Sequence, residues 1–248
     1  MVGITAIASQ KGGVGKTTTA INLGAGLAIC ERRTLVLDVD PQANATSGFG
    51  IPVPPGIGAA DVLLGRCPAQ HGIRRDVLAN LDVIPSGGPM RQLERHLATA
   101  PASPDTLQSL RDQYRHILID CPPSLGAITT WAICAADQIL IPVQCEYYAM
   151  EGLAQVMALL ERLREQRFRT DSRARILLTM YDPQVQLARE VATEVRRYFG
   201  DKVFDAVIPR DTALSEAPGH GRTIFDYDIR SRGAWAYLQL TKEVIRSG

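Results

Sequence analysis

The sequence predicts an α/β fold: a three-layer, mostly parallel twisted sheet flanked by helices on both faces. Three observations carry the prediction. Segments of strand length, such as 34–38 (TLVLD) and 116–120 (HILID), are largely apolar and do not alternate, the pattern of strands covered on both faces. Segments of helix length separate them, as parallel crossovers require. The composition is that of a globular chain, with 46% hydrophobic and 21% charged residues over 248 positions, enough for a full core. No repeat or low-complexity tract interrupts it, so residues 1–248 read as a single domain.

The elements follow in order. Residues 2–8 (VGITAIA) form the first strand, followed by a glycine loop and a helix over 16–30. The second strand is 34–38. Residues 51–58 (IPVPPGIG) hold three prolines and two glycines and read as a loop. Residues 81–85 (LDVIP) are the third strand, 116–120 the fourth, 138–143 (QILIPV) the fifth, 175–180 (RILLTM) the sixth and 203–208 (VFDAVI) the last. Helical patterns fill 89–98, 104–113, 126–135, 150–168, 184–198 and 231–246, with APASP at 100–104 breaking the first two apart.

Charge excludes a global attraction to polyanions. Lys+Arg is 27 against 26 Asp+Glu, so binding to DNA or anionic lipid needs a local patch. Arginine dominates the bases; Lys11, Lys16, Lys202 and Lys242 are the only lysines. No apolar run approaches 18 residues, and the first residues lack a basic region and a cleavage site, so no membrane span or signal peptide is expected and the location is cytoplasmic. The tail LQLTKEVIRSG lacks an aromatic stripe, which disfavours membrane anchoring. Five widely spaced cysteines without a CxxC pair argue against disulfides or zinc. His71, His96, His116 and His220 show no ligand spacing.

The chemistry concentrates in Ser9-Gln10-Lys11-Gly12-Gly13-Val14-Gly15-Lys16-Thr17-Thr18, between a strand and a helix. Glycines let backbone N–H groups curl around phosphate oxygens, and the helix N-terminus adds partial positive charge. Lys16 reaches the β- and γ-phosphates, and the Thr17 hydroxyl completes a Mg²⁺ shell, so this is a P-loop NTPase. The usual G-x-x-x-x-G-K-T pattern places glycine where Gln10 stands, and the loop carries a second lysine, Lys11. A cation just outside the loop can approach the triphosphate. Asp38 and Asp40 lie at the carboxyl end of the second strand, where α/β ligands bind. Asp120 follows Ile117-Leu118-Ile119 in the pattern of an acid that orients Mg²⁺; turn capping is the plainer alternative for all three.

With Lys11, the sequence resembles the ParA/Soj ATPases, the deviant Walker A family related to MinD and to nitrogenase iron protein. The resemblance runs through KGGVGKTTTAINL (11–23), LDVDPQANATSGFG (37–50), ILIDCPPSLG (117–126), LIPVQCEYYAMEGL (140–153) and IPRDTALSEAPGHG (208–221). It implies an ATPase using ATP and Mg²⁺, with slow basal turnover. Lys11 then crosses a homodimer interface to the partner's phosphates, so Lys11, Lys16 and Asp40 are the catalytic set. Asp40 positions the attacking water, and Asp38 joins Thr17 and Asp120 around Mg²⁺. Residues 38–50 read as switch I, a mobile polar loop, and 120–126 as switch II. Met180, Pro209 and Asp211 are expected at the adenine. Glu146, Tyr147 and Tyr148 fall near the dimer face, with helix capping and core packing as the alternative. Cys121 and Cys134 read as packing residues rather than iron–sulfur ligands.

The resemblance also implies that the ATP-bound dimer binds nonspecific DNA on the nucleoid and is released when a ParB/Spo0J-like partner stimulates hydrolysis, in chromosome or plasmid partitioning. Arg189, Arg196, Arg197 and Arg222 are the candidate phosphate contacts. Gln184 and Ala213 stand where relatives commonly carry arginine, and Asp211 where they carry asparagine. A ParA-like ATPase that positions a protein cluster, with DNA binding weakened or lost, is the alternative. No extension precedes the first strand, so no helix-turn-helix domain is expected there.

Overall fold

The computed structural model describes residues 3–53, 56–99, 107–166 and 173–247. The first half runs β1 (Gly3–Ile7), α1 (Lys16–Ile29), β2 (Thr34–Asp38), α2 (Asn44–Gly48), α3 (Ala59–Leu63), α4 (Ala69–Gly72), β3 (Arg74–Leu78), β4 (Leu81–Ile84), α5 (Met90–Thr99), α6 (Gln108–Arg111) and β5 (His116–Asp120). The second half runs α7 (Ala127–Ala135), β6 (Gln138–Gln144), α8 (Ala149–Glu165), β7 (Arg173–Tyr181), α9 (Gln186–Phe199), β8 (Val203–Pro209), α10 (Thr212–Glu216), α11 (Ile224–Tyr227) and α12 (Arg232–Ser247).

The eight strands form one sheet in the order β3-β4-β2-β5-β1-β6-β7-β8. Every pairing is parallel except β3 with β4. The apolar strands have two buried faces. Leu35, Leu37, Ile117, Ile119, Ile139, Ile141, Ile176 and Leu178 pack on one side beneath α3, α5, α7, α8 and α9. Val36, Leu118, Leu140 and Leu177, from the same strands, pack on the other beneath α1 and α12. The alternation is that of any strand, but helices cover both sides, so both sets are apolar. Each fully buried leucine or isoleucine contributes about 1.5–3 kcal/mol.

The seven strands read from the sequence are present. The eighth, β3, is an edge strand with Arg74, Arg75 and Asp76 at its start. Its pattern is half exposed, so periodicity does not mark it. The helices α2, α3, α4, α10 and α11, of four or five residues each, are likewise too short for a helical period to show. The helix expected over 104–113 is described only at Gln108–Arg111, and the one over 150–168 as Ala149–Glu165. The APASP segment lies outside the described residues, as do residues 167–172 between α8 and β7.

Candidate functional site

The glycine loop sits at the carboxyl edge of β1, centrally in the sheet. Gly13 and Gly15 adopt left-handed backbone (φ +73° and +87°), which residues with a Cβ resist. Gly15 turns the chain into α1, whose first-turn N–H groups face the loop. Lys16 is buried, and its ammonium donates to the Lys11 carbonyl at 3.0 Å, across the loop's mouth. Burial lowers its pKa, opposed by the charges of Asp120, Cys121 and Asp40. From β7, Thr179 Oγ1 donates to the Val14 carbonyl at 2.9 Å and ties the loop to the sheet.

Asp38 and Asp120 are register neighbours at the ends of β2 and β5, and both are fully buried. Asp38 accepts from Asp40 N (3.1 Å), Thr46 N (2.8 Å) and Thr46 Oγ1 (2.7 Å). Burial pushes its pKa up to about 6, against those hydrogen bonds. Asp120 is different. Neither carboxylate oxygen has a hydrogen-bond partner among the described residues. Burial, followed by the Asp38 charge, holds its carboxyl well above the usual range. Nearby Thr17 opposes that shift, outside hydrogen-bond geometry.

A buried, orphaned carboxylate beside Lys16 fits a cation or its hydration shell. Among the described residues no three His, Cys, Asp or Glu side chains form a metal cage. Such a site suits Mg²⁺, which keeps waters and takes phosphate oxygens with one or two protein groups. Thr17 and Asp120 are the residues that would complete that shell.

The segment expected to be switch I carries regular structure. Asn44–Gly48 is helical, and Thr46 is fully buried. Asp40 is 5% exposed; its Oδ1 accepts from Gln42 N at 2.9 Å. Its carbonyl accepts from Ala43 N (2.9 Å) and from Ser86 Oγ (2.6 Å). The segment's far end is pinned by glycines. Gly50 (φ +71°) and Gly221 (φ +63°) approach so closely that a Cβ on Gly221 would stand 2.7 Å from Gly50 Cα.

Met180, Pro209 and Asp211 line one cavity of about 280 Å³ with Gly15, Thr179 and Tyr237. The cavity opens beside the loop, where a base attached to bound phosphates would lie. Met180 has φ +50°, unusual for a residue with a side chain. Asp211 shapes the wall: Oδ1 accepts from Ala213 N at the start of α10, and Oδ2 from Gly233 N in α12. Tyr237 is buried and shares a hydrogen bond of 3.1 Å with Thr19.

Lys11 pairs with Glu146 at 3.4 Å, and Arg210 approaches the same carboxylate at 3.8 Å. Tyr147 and Tyr148 are 76% and 61% exposed and meet edge to face. The core-packing alternative for them does not hold. Arg189, Arg196 and Arg197 share α9, whereas the exposed Arg222 lies between α10 and α11. Arg189 donates to the Pro183 carbonyl, and Arg197 pairs with Glu194 at 2.6 Å. Sequence reasoning missed Ser86 and Tyr237. A polar residue directly past a strand's carboxyl end, as in IPSGG, was the available signal for Ser86; Tyr237 gave none.

The sheet, the glycine loop and the two strand-end acids define a P-loop ATPase-type nucleotide-binding fold. Comparison with known proteins narrows this. A family model described as an AAA domain matches residues 2–176. The chain is 46% identical over 251 residues to the sporulation initiation inhibitor protein Soj of Bacillus subtilis, covering 99% of each. It is 45% identical over 249 residues to the chromosome partitioning protein ParA of Caulobacter vibrioides, covering 98% of this chain and 93% of that one. The cobyrinic acid a,c-diamide synthase of Mycobacterium smegmatis, with bound ATP analogue and magnesium, superposes with a TM-score of 0.84. That pair is 28% identical and covers 99% of this chain and 95% of the synthase. The chain belongs to the ParA/Soj family of deviant Walker A ATPases.

Proposed function

We propose that the chain works as a single ATPase domain. It is a Mg²⁺-dependent partition ATPase that dimerises on ATP and binds nonspecific DNA on the nucleoid as that dimer. Hydrolysis stimulated by a ParB-like partner releases it. The observation that carries the reading is the convergence of Lys11, Lys16, Asp38, Asp40 and Asp120 on one sheet edge around the glycine loop. Bound Mg²⁺ would neutralise phosphate charge. The loop N–H groups and Lys16 hold the β- and γ-phosphates, and the 280 Å³ cavity takes the adenine. Asp40 orients the attacking water; positioning and charge neutralisation, rather than covalent chemistry, supply the rate.

Lys11 is held by Glu146 in the single chain. In the dimer it exchanges that carboxylate for the partner's phosphates, with the exposed Tyr147 and Tyr148 beside it. Sizing the protein with ADP and with ATP, with and without DNA, tests the reading. ATP is expected to double the mass, and Lys11→Ala to prevent it. Lys16→Ala abolishes nucleotide binding, whereas Asp40→Ala binds ATP and stays dimeric. A chain that remains single with Mg-ATP in excess refutes the dimer.

One observation favours a second reading, the positioning of a protein cluster with weakened DNA binding. Ala213, standing where relatives commonly carry arginine, is buried at the start of α10 and offers DNA no cation. A mobility shift across a salt series decides: ATP-dependent, salt-sensitive retention supports partition on DNA, and none at low salt supports the second reading.

A further inference from the structure

Four buried residues, Asp40 among them, form a closed ring. Ser86, two residues past the carboxyl end of β4, donates from Oγ to the Asp40 carbonyl at 2.6 Å. Its backbone N donates to Thr46 Oγ1 at 2.8 Å. Thr46 Oγ1 donates to Asp38 Oδ2 at 2.7 Å, and Asp38 Oδ1 accepts from Asp40 N at 3.1 Å. Ser86, Thr46 and Asp38 are 1% exposed or less, and Asp40 is 5% exposed. The ring therefore exchanges little with water, and its members have few other ways to satisfy their polar atoms.

The geometry points to Ser86 as a positioning residue for ATP hydrolysis: it fixes the backbone of Asp40 from the neighbouring strand, so that the carboxylate meets the attacking water at a set distance. The inference rests on the proposed role of Asp40. The physical reason is leverage. Asp40 lies two residues past the end of β2, where the sheet ladder no longer holds the chain. Asp38 restrains it from its own strand, through a backbone bond two residues away. Ser86 adds a second reference point, 46 residues distant in sequence, two residues past the end of β4 and held there by its own N–H bond to Thr46. Two anchors from two strands define an orientation where one leaves a pivot. Ser86 touches no reacting atom; it acts through Asp40.

The variants Ser86→Ala and Ser86→Thr separate positioning from general support. Alanine removes only the hydroxyl and leaves no orphaned donor, while Ala43 N still satisfies the Asp40 carbonyl. Threonine restores the hydroxyl. ATP affinity, thermal midpoint and single-turnover phosphate release with Mg-ATP are measured on the full chain, beside wild type and Asp40→Ala. Ser86→Ala is expected to slow phosphate release about three- to tenfold, in line with one lost hydrogen bond to a group that must be oriented. Its ATP affinity should stay within about twofold, and Ser86→Thr should recover most of the rate. Native release by a folded Ser86→Ala overturns the inference. So does a fall in affinity parallel to the fall in rate, or a loss of rate that threonine does not repair, since both mark a merely structural role. If Asp40→Ala itself hydrolyses at the native rate, the assignment of Asp40 fails together with the inference; normal Asp40 dependence with an indifferent Ser86 defeats the inference alone.

Discussion

The bond from Thr179 to the glycine loop offers the sharpest test of how the sheet supports phosphate binding. Thr179 is 2% exposed, and its hydroxyl donates to the Val14 carbonyl at 2.9 Å. Thr179→Val keeps the shape and removes the donor. The net worth of such a bond is about 0.5–1.5 kcal/mol, and leaving a buried carbonyl unsatisfied raises the cost to about 1–3 kcal/mol. For a chain of this length each kcal/mol moves the thermal midpoint by about 2–4 °C, so a fall of about 2–12 °C is expected. The freed loop must also be ordered when phosphate binds. At about 1.4 kcal/mol per tenfold, ATP affinity should weaken up to about tenfold, with Thr179→Ser near native. Calorimetric unfolding without nucleotide and titration with Mg-ATP measure the two effects separately. A valine variant with native midpoint and native affinity would show that the loop holds its shape unaided.

Three further outcomes follow from the structure. Gly221→Ala forces a left-handed backbone onto alanine and drives its Cβ against Gly50; a loss of about 1–2 kcal/mol from the backbone alone, plus the displacement of switch I, should appear in denaturant unfolding. His116, at the start of β5, has its pKa lowered to about 4, chiefly by burial and then by Arg115. The unfolded chain therefore binds the extra proton between about pH 6.5 and 4, so stability falls as pH drops through that window, by at most about 3 kcal/mol. His116→Gln should flatten that slope in pH-dependent melts. Glu146→Ala removes the carboxylate that holds Lys11 and Arg210, so dimerisation should occur at lower ATP concentration; a higher requirement would show that Glu146 serves the dimer instead.

Much of the site was legible because its parts are contiguous. Lys11–Thr18 is one loop between one strand and one helix, and its glycines, lysine and threonine announce their chemistry by spacing alone. Asp38, Asp40 and Asp120 were legible because an acid closing an apolar strand falls on the sheet's ligand edge by topology. Residues 44–48 read as a polar loop because Asn44, Thr46 and Ser47 are polar; the structure makes them helical, with Thr46 buried and bonded to Asp38 and Ser86, which no local pattern reveals. The edge strand β3 escaped for the opposite reason, since an edge need not be apolar.

The sequence by itself determined the alternation of strands and helices, the phosphate loop and the family, all written in short stretches of adjacent residues. Tertiary structure alone decided what grips those stretches. Thr179 reaches Val14 across 165 positions, Lys11 reaches Glu146 across 135, and Ser86 reaches Asp40 across 46. Parallel strands bring such residues to one edge through crossovers, and a hydrogen bond depends on atoms lying about 3 Å apart, whatever their separation along the chain.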